Sequence, residues 1–439
     1  MELIPSEQPA PIRQGRWEIC GVPALEPLPA VVGFYFASRT IAALLAARIL
    51  GADPATGTAA AIGFEFLLLA AVIFSADAPD HRSSVLILQF PAARWALLFL
   101  GFSCCSLLWS GTASLADSSV YWCAMASDVA ITATLFRTRS VVATTDALMQ
   151  GYVWGALVVA VVAWLLPAQS DLRLGDEELL GPNQIGYVCA MGCLFAHCLV
   201  RERRQGSGIS VIVLGATLLR SLSKTTIVAF LVCEGFLLLR DRSISRRSKI
   251  IAVVVTAALL SAFSGLLFSY YDVYTSAGSQ SETLTGRLGI WAYFLAEAVQ
   301  QPWFGHGFDS AWKVIPPFGA DQFQAAHAHN ELLQQFYAYG IVGVLLVVGI
   351  YGSLFLQFRH MATGRRRTFL FAFLLFVLIR GLADTDRFEL SLPMWAVLLL
   401  GSLAAKTPAA GGKAGETDAI HRPRNRAAVH LEMSSDCNL

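Results

Sequence analysis

RERRQGSGISVIVLGATLLRSLSKTTIVAFLVCEGFLLLRDRSISRRSK, residues 201–249, decides the fold. Strongly basic segments at 201–205 and 240–249 flank the mostly apolar stretch 208–239. Lys and Arg collect on the cytoplasmic side of a membrane, so both flanks lie on one side and the chain must enter and return between them. Each arm then has about 12–17 residues, or about 18–25 Å of helix, short of a roughly 30 Å hydrocarbon core. The break at RSLSK (220–224) is therefore expected below the far surface. Irregular backbone at that depth is tolerated only where it lines a polar cavity or is buried in protein. A single long tilted helix is the alternative.

Outward from this hairpin the same signal repeats. The chain is 55% hydrophobic and 14% charged, with mean hydropathy +0.57, where a soluble protein carries about a quarter charged residues. Apolar runs at 28–50, 57–76, 92–109, 118–136, 147–166, 183–200, 208–222, 223–239, 249–270, 332–358, 369–383 and 388–404 read as twelve transmembrane helices. With the N-terminus inside, 23 of the 32 Lys and Arg residues fall in inner segments and six in outer ones; shifting the register by one span would reverse this bias. The expected fold is all-α, a polytopic membrane protein with one large periplasmic loop. Its organisation is a cytoplasmic tail (1–27), nine spans (28–270), the loop (271–331), three spans (332–404) and a cytoplasmic tail (405–439). A signal-peptide pattern is not expected, since polar, Pro-rich residues precede the first apolar run. The net charge of +1 carries no argument about partners, and no nucleic-acid partner is expected.

Chemistry is expected in the loop. TSAGSQSET (275–283) reads as a flexible stretch. Leu288, Trp291, Leu295 and Val299 recur at near-helical spacing, which predicts an amphipathic helix over 287–300 lying on the membrane surface and ended by Pro302. GHGFD (305–309) follows as a turn, and the next helix begins near His329. Three histidines, His306, His327 and His329, lie in this loop. They do not form HExxH and the carboxylates lack ligand spacing, so a metal is not favoured. Cys189 and Cys193, four apart on one span, read as ordinary packing. A neutral imidazole of His329 at the membrane surface is a competent general base. Ser223, in N-cap position, opens the eighth span, whose free N–H groups favour a phosphate, and Lys224 adds a full charge there. The plainer reading is a capped helix end with a snorkelling lysine. Arg39, Glu65 and Asp128 lie within spans, where structural pairing outweighs a transport path.

With these residues in place, LTGRLGIWAYFLAEAVQQPWFGHGF (284–308) followed by AAHAHNELLQQFYAYGIVGVLL (325–346) resembles the O-antigen ligase and polysaccharide polymerase superfamily. The shared pattern is GR-x-x-x-W, P-x-x-G-x-G-F, H-N-x-x-L and G-x-x-G. SLSKTTIVAF (221–230) resembles that family's Ser-Arg/Lys-Thr element, and LLWSGTASLAD (107–117) its WS motif. Lys224 stands where many ligases carry Arg, and the SKT and HAHN contexts look closer to exopolysaccharide polymerases than to lipid A-core ligases. The resemblance implies cofactor-free, metal-independent, inverting glycosyl transfer on the periplasmic face of the bacterial inner membrane. The donor would be a saccharide linked through diphosphate to a polyprenyl lipid, and the acceptor a glycan or lipid-linked glycan, with membrane lipids and other polysaccharide-assembly proteins as further partners. It makes His329 the general base and assigns the diphosphate to Lys224, Arg287 and Arg220. Asn330, Ser223, Trp291, Gly305 and Gly307 belong to the same motifs and are the expected supporting residues. A diphosphate leaves without a general acid when fixed positive charge receives it, which agrees with a loop lacking the carboxylate pair of a glycoside hydrolase.

A transporter or flippase of lipid-linked glycans is the competing class, but it would show related halves and a charged central path; no internal repeat is visible. Orientation is directly testable. Reporters fused after Arg204, Arg247 or Arg367 are expected to read cytoplasmic and one near Ser279 periplasmic. A cytoplasmic signal at Ser279 would place the loop among nucleotide-sugar donors and overturn the reading.

Overall fold

The computed structural model describes residues 26–51, 53–76, 87–167, 173–175, 179–203, 208–241, 245–262, 284–311, 327–386 and 388–405. Among these the secondary structure is helical: α1 (Pro27–Leu50), α2 (Pro54–Phe74), α3 (Pro91–Ser106), α4 (Leu115–Thr138), α5 (Val141–Leu165), α6 (Pro182–Cys198), α7 (Gly208–Ser221), α8 (Lys224–Arg240), α9 (Arg246–Ala262), α10 (Leu284–Ala298), α11 (Glu331–His360), α12 (Arg365–Gly381) and α13 (Met394–Ala405). The expected tails, the stretch 275–283, Lys313 and Arg387 lie outside the described residues.

Local chemistry sets the helix starts. Proline occupies the first position of α1, α2, α3 and α6, where its missing N–H costs nothing. Asp53, Ser114 and Asn330 cap α2, α4 and α11 by accepting from Thr56, Asp117 and Leu333 backbone N–H groups. Among the described residues six helices are long and apolar enough to cross a membrane: Pro27–Arg48, Pro54–Phe74, Leu115–Thr138, Val141–Leu165, Pro182–Arg201 and Glu331–His360. Gly208–Ser221 and Met394–Ala405 are shorter apolar helices. The chain is a multi-pass membrane protein.

The bundle is organised around α13, in which every residue from Met394 to Ala404 is buried. A helix apolar on all sides is a core element. Trp395 stacks on Phe36 of α1 with ring centroids 4.7 Å apart and lies 5.7 Å from Tyr152 of α5. Within the bundle Arg39 holds Asp128 at 3.0 Å and Glu389 at 3.3 Å. The Tyr35 hydroxyl donates to Glu65 at 3.4 Å. Arg39 and Asp128 are thus paired, as read from sequence.

The 208–239 segment is two helices, not one. α7 ends at Ser221, Leu222 takes a positive φ of 56°, and α8 begins at Lys224. Ser221 and Ser223 are buried, and buried Arg173 spans from the Ser221 carbonyl at 3.5 Å to Asn183 Oδ1 at 3.0 Å. The break is therefore seated in protein, which is how broken backbone survives at depth.

A second break lies inside α11. Gly340 has φ 64° and ψ −156°, a conformation open essentially to glycine alone. The kink frees carbonyls and N–H groups that the segment 302–307 then satisfies. His306 N–H donates to the Tyr337 carbonyl at 3.0 Å, Gly307 N–H to Ala338 at 2.8 Å, and Ile341 N–H to Pro302 at 2.8 Å. Gly305, also at positive φ, passes so close that a Cβ there would lie 2.4 Å from Tyr339 N. The same segment docks on the α3–α4 connection: Gly111 N–H donates to the His306 carbonyl at 3.1 Å, Phe308 N–H to Ser106 Oγ at 3.0 Å, and Ser118 to Asp309 Oδ2 at 2.8 Å.

α10 is a helix, as expected. Ile290, Phe294 and Ala298 form a stripe packed on α11 through Tyr337, while Leu288, Leu295 and Val299, the residues expected at the membrane surface, are exposed. The helix also ends before Pro302, whose carbonyl serves the α11 kink.

Gly340→Ala is expected to cost at least about 1–3 kcal/mol from the forbidden φ/ψ alone, since its Cβ would also lie 2.3 Å from the Trp303 carbonyl carbon. Gly352→Ala in the same helix meets nothing within 4 Å and is the control. Thermal melts of detergent-solubilised protein check both; equal melting temperatures would contradict the account of the kink.

Candidate active site

The loop that follows α12, 382–386, collects the groups that the sequence scattered. Asn330, one residue after His329, donates from Nδ2 to the Leu382 carbonyl at 2.9 Å. Arg287 of α10 donates from Nη1 to the Ala383 carbonyl and, at 3.2 Å, to Thr225 Oγ1 at the start of α8. Asp384 is buried, accepts from Arg380 Nη2 at 2.9 Å, and places Oδ1 3.7 Å from His329 Nδ1. That last separation is outside hydrogen-bond range but close enough for strong electrostatic attraction. His329 Nδ1 is buried with no hydrogen bond among the described residues. The ring's limited exposure, 15% of the side chain, therefore lies away from Nδ1. His329 itself has a positive φ of 49°, uncommon outside glycine.

Anchors hold this loop in place. Glu331 Oε1 accepts from Tyr351 at 2.7 Å and from Ser391 N–H at 2.8 Å. Tyr187 donates to the Ser391 carbonyl at 2.8 Å, and its ring lies 4.1 Å below the Arg380 guanidinium. Glu331 is thus engaged structurally, as is Asp309 at its Ser118 bond.

The electrostatics of the two loop-borne acid and base partners diverge. Burial alone would raise the Asp384 carboxyl, but Arg380 and the two neighbouring histidines outweigh it and hold the group well below the usual carboxylate range. Burial, then the adjacent His329 ring, pushes the His327 imidazole down to about 3, with Asp384 pulling the other way. The His329 N–H donates to His327 Nδ1 at 3.3 Å, and an accepting Nδ1 is what a neutral imidazole offers. The two rings sit 4.0 Å apart.

The other expected site residues fall out as follows. Lys224 opens α8 and is exposed, next to the Thr225 that Arg287 reaches. Arg220 lies in the last turn of α7, before the buried break. Ser223 stands at the N-cap of α8 but does not cap the backbone; its hydroxyl donates to Thr226 Oγ1 at 2.8 Å. The side-chain partner takes the hydroxyl, so the N–H groups of the first turn keep no cap from Ser223. Trp291 is partly buried beside the α10–α11 contact. His306 Nε2 donates to the Glu297 carbonyl at 3.0 Å and its ring stacks on Tyr337 at 4.6 Å. With Gly305 and Gly307 it builds the α11 kink and does not reach the loop at 382–386. Asp384 and Thr225 escaped the sequence reading. The available signal was acids in LADTD (382–386) directly after a span ending with Arg380.

Residues 209–348, which run from α7 through α8, α9 and α10 into the first half of α11, match the family model described as O-antigen ligase. The matched segment is about a third of the chain. It is similar to an O-antigen ligase of Pseudomonas aeruginosa, with 32% identity over 147 residues. That alignment covers 34% of this chain and about a third, 33%, of the length of that relative. Among the described residues no group of three or more His, Cys, Asp or Glu is arranged to hold a metal ion.

The His327 environment sets a pH signature of stability. The folded imidazole stays neutral down to about 3, whereas an unfolded one takes a proton near 6.5. Stability is therefore fully present above about pH 6.5 and falls below it by up to about 1.4 kcal/mol per pH unit. Asp384, with a depressed pKa, adds to the loss only below about pH 4. Melting temperatures between pH 7 and 4.5 are expected to fall less steeply in His327→Asn, which keeps an acceptor for the His329 N–H. An unchanged slope would assign the acid sensitivity elsewhere.

Proposed function

We propose that this chain is a membrane glycosyltransferase of O-antigen or exopolysaccharide assembly. It moves a saccharide from a polyprenyl diphosphate to a hydroxyl of an acceptor glycan on the periplasmic face of the inner membrane. The reading is supported above all by one observation: a histidine facing a buried, ionised aspartate on the same loop that anchors an arginine from α10. The similarity to the O-antigen ligase family supports the reaction class, and the twelve-span topology expected from the sequence, with the 271–331 loop outside, supports the face.

In this reading His329 takes the acceptor proton through Nε2, because Nδ1 is turned inward to Asp384. Asp384 orients the ring and stabilises the imidazolium, in the way a buried carboxylate supports a catalytic histidine. Arg380 keeps Asp384 ionised. As the proton leaves, the acceptor oxygen bonds to the anomeric carbon, and the bond from that carbon to the diphosphate oxygen breaks on the opposite side. The configuration inverts. The electron pair departs with the polyprenyl diphosphate, whose charge Arg287, Lys224 and Arg220 receive without a general acid. Nothing in this sequence calls for a metal or an organic cofactor.

Purified protein incubated with a polyprenyl-diphosphate glycan and an acceptor tests the proposal. His329→Ala is expected to reduce transfer by about 10²–10⁴-fold with donor binding retained. Lys224→Ala is expected to weaken donor binding by about 1–3 kcal/mol, with much of it restored by Lys224→Arg. His306→Ala is expected to cost far less than His329→Ala, because its ring is held against Glu297 and Tyr337. Normal turnover in His329→Ala would overturn the assignment of the base.

A further inference from the structure

At the end of the bundle opposite His329, where α6 and α8 finish and α12 begins, lies a cavity of about 400 Å³. We propose that it binds a phosphate ester anion, presented as the headgroup of an acidic phospholipid. Four arginines line it, Arg201, Arg240, Arg365 and Arg367, against a single carboxylate, Asp241. Asp241 is already hydrogen-bonded to Arg201. No carboxylate among the described residues pairs with Arg240, Arg365 or Arg367. Instead, the Arg240 guanidinium sits 5.6 Å over the Phe236 ring, and that of Arg367 sits 5.6 Å over Phe371 while its Nη1 donates to the Met361 carbonyl at 3.2 Å. Cations held by aromatic faces and a carbonyl keep their full charge for an anionic partner.

The first turn of α12 adds a second reason. It holds no acidic residue, and its N-cap, Gly364, has no side chain to cap the N–H groups. Arginines beside the positive end of a helix dipole are mutually unfavourable, and an anion resolves that conflict. Clustered arginines in a membrane protein also follow the basic bias of one face, but that bias asks for no cavity and no aromatic support.

The walls argue for a lipid over a free ion. Phe236, Leu237, Phe369 and Phe371 line the same cavity, and Leu239 beside it is 67% exposed. Basic pockets between helices at the membrane boundary suit acidic headgroups, with acyl chains running along the apolar flank. An arginine fork can grip a phosphate diester through two oxygens. The site is remote from His329 and independent of the transfer reaction.

Full-length protein, delipidated in detergent, is titrated with phosphatidylglycerol, cardiolipin, phosphatidylcholine or inorganic phosphate. Bound lipid is read by native mass spectrometry and stabilisation by melting temperature. The two acidic lipids are expected to remain bound and to raise the melting temperature, with phosphatidylcholine at least tenfold weaker. Arg240→Gln with Arg365→Gln is expected to lose at least tenfold in acidic-lipid affinity while melting normally without lipid. Arg365→Gln alone serves if the pair fails to fold, since Arg365 is exposed. Equal binding of phosphatidylcholine, undiminished binding by a folded variant, or equal protection by inorganic phosphate alone would overturn the lipid assignment. Because no glycan donor is present, a failed transfer assay leaves this result intact.

Discussion

A carboxylate buried without a cation would be ruinous in a helical membrane bundle, and Asp384 is buried. The Arg380 bond is what makes it tolerable: the partner is four residues earlier, on the last turn of α12, and is itself steadied by the Tyr187 ring. Removing one member of such a pair typically costs about 3–5 kcal/mol, because the other charge is stranded. Once Asp384 is fixed, the loop 382–386 becomes a rigid rail. Its carbonyls then receive Asn330 and Arg287, and its carboxylate faces His329. Residues from α8, α10, α11 and α12 converge because this one loop has a single affordable conformation.

The kink at Gly340 does for the first half of α11 what the ion pair does for the loop. A straight helix would satisfy its own backbone and offer nothing to the segment 302–307. Breaking it exposes hydrogen-bonding groups that this segment takes up, and the segment in turn grips the α3–α4 connection. The His329 end of α11 is thus braced from two directions, by α10 packing on Tyr337 and by the 302–308 segment wrapped round the bend. Motifs that look separate in sequence, WS near Ser110, G-x-G-F at 305–308 and G-x-x-G at 340–343, are one hydrogen-bonded unit.

Much of this was legible because membranes impose strong rules. The double basic flank of 208–239 led to the expectation of a return, and with it of a buried break, which lies at Leu222. His329 and Asn330 were legible through the start of an apolar run, and Asn330 is the cap. What stayed hidden has physical reasons. Asp384 reaches His329 from across a chain separation that no local period reveals. Gly340 sits inside a continuous apolar run, so hydropathy passes over the kink. Ser223 looked like a cap because residue type does not say which partner a hydroxyl takes.

The central claim is that Asp384 acts through His329, and a double-mutant cycle on single-turnover transfer tests it most directly. Rates are compared for wild type, Asp384→Asn, His329→Ala and the double variant at equal concentrations of folded protein. Groups acting as one unit are strongly non-additive. The account predicts that Asp384→Asn slows the wild type by a large factor yet changes nothing further once His329 is alanine. The same factor in both backgrounds would show that Asp384 supports the fold or the donor without the histidine, and would contradict the account.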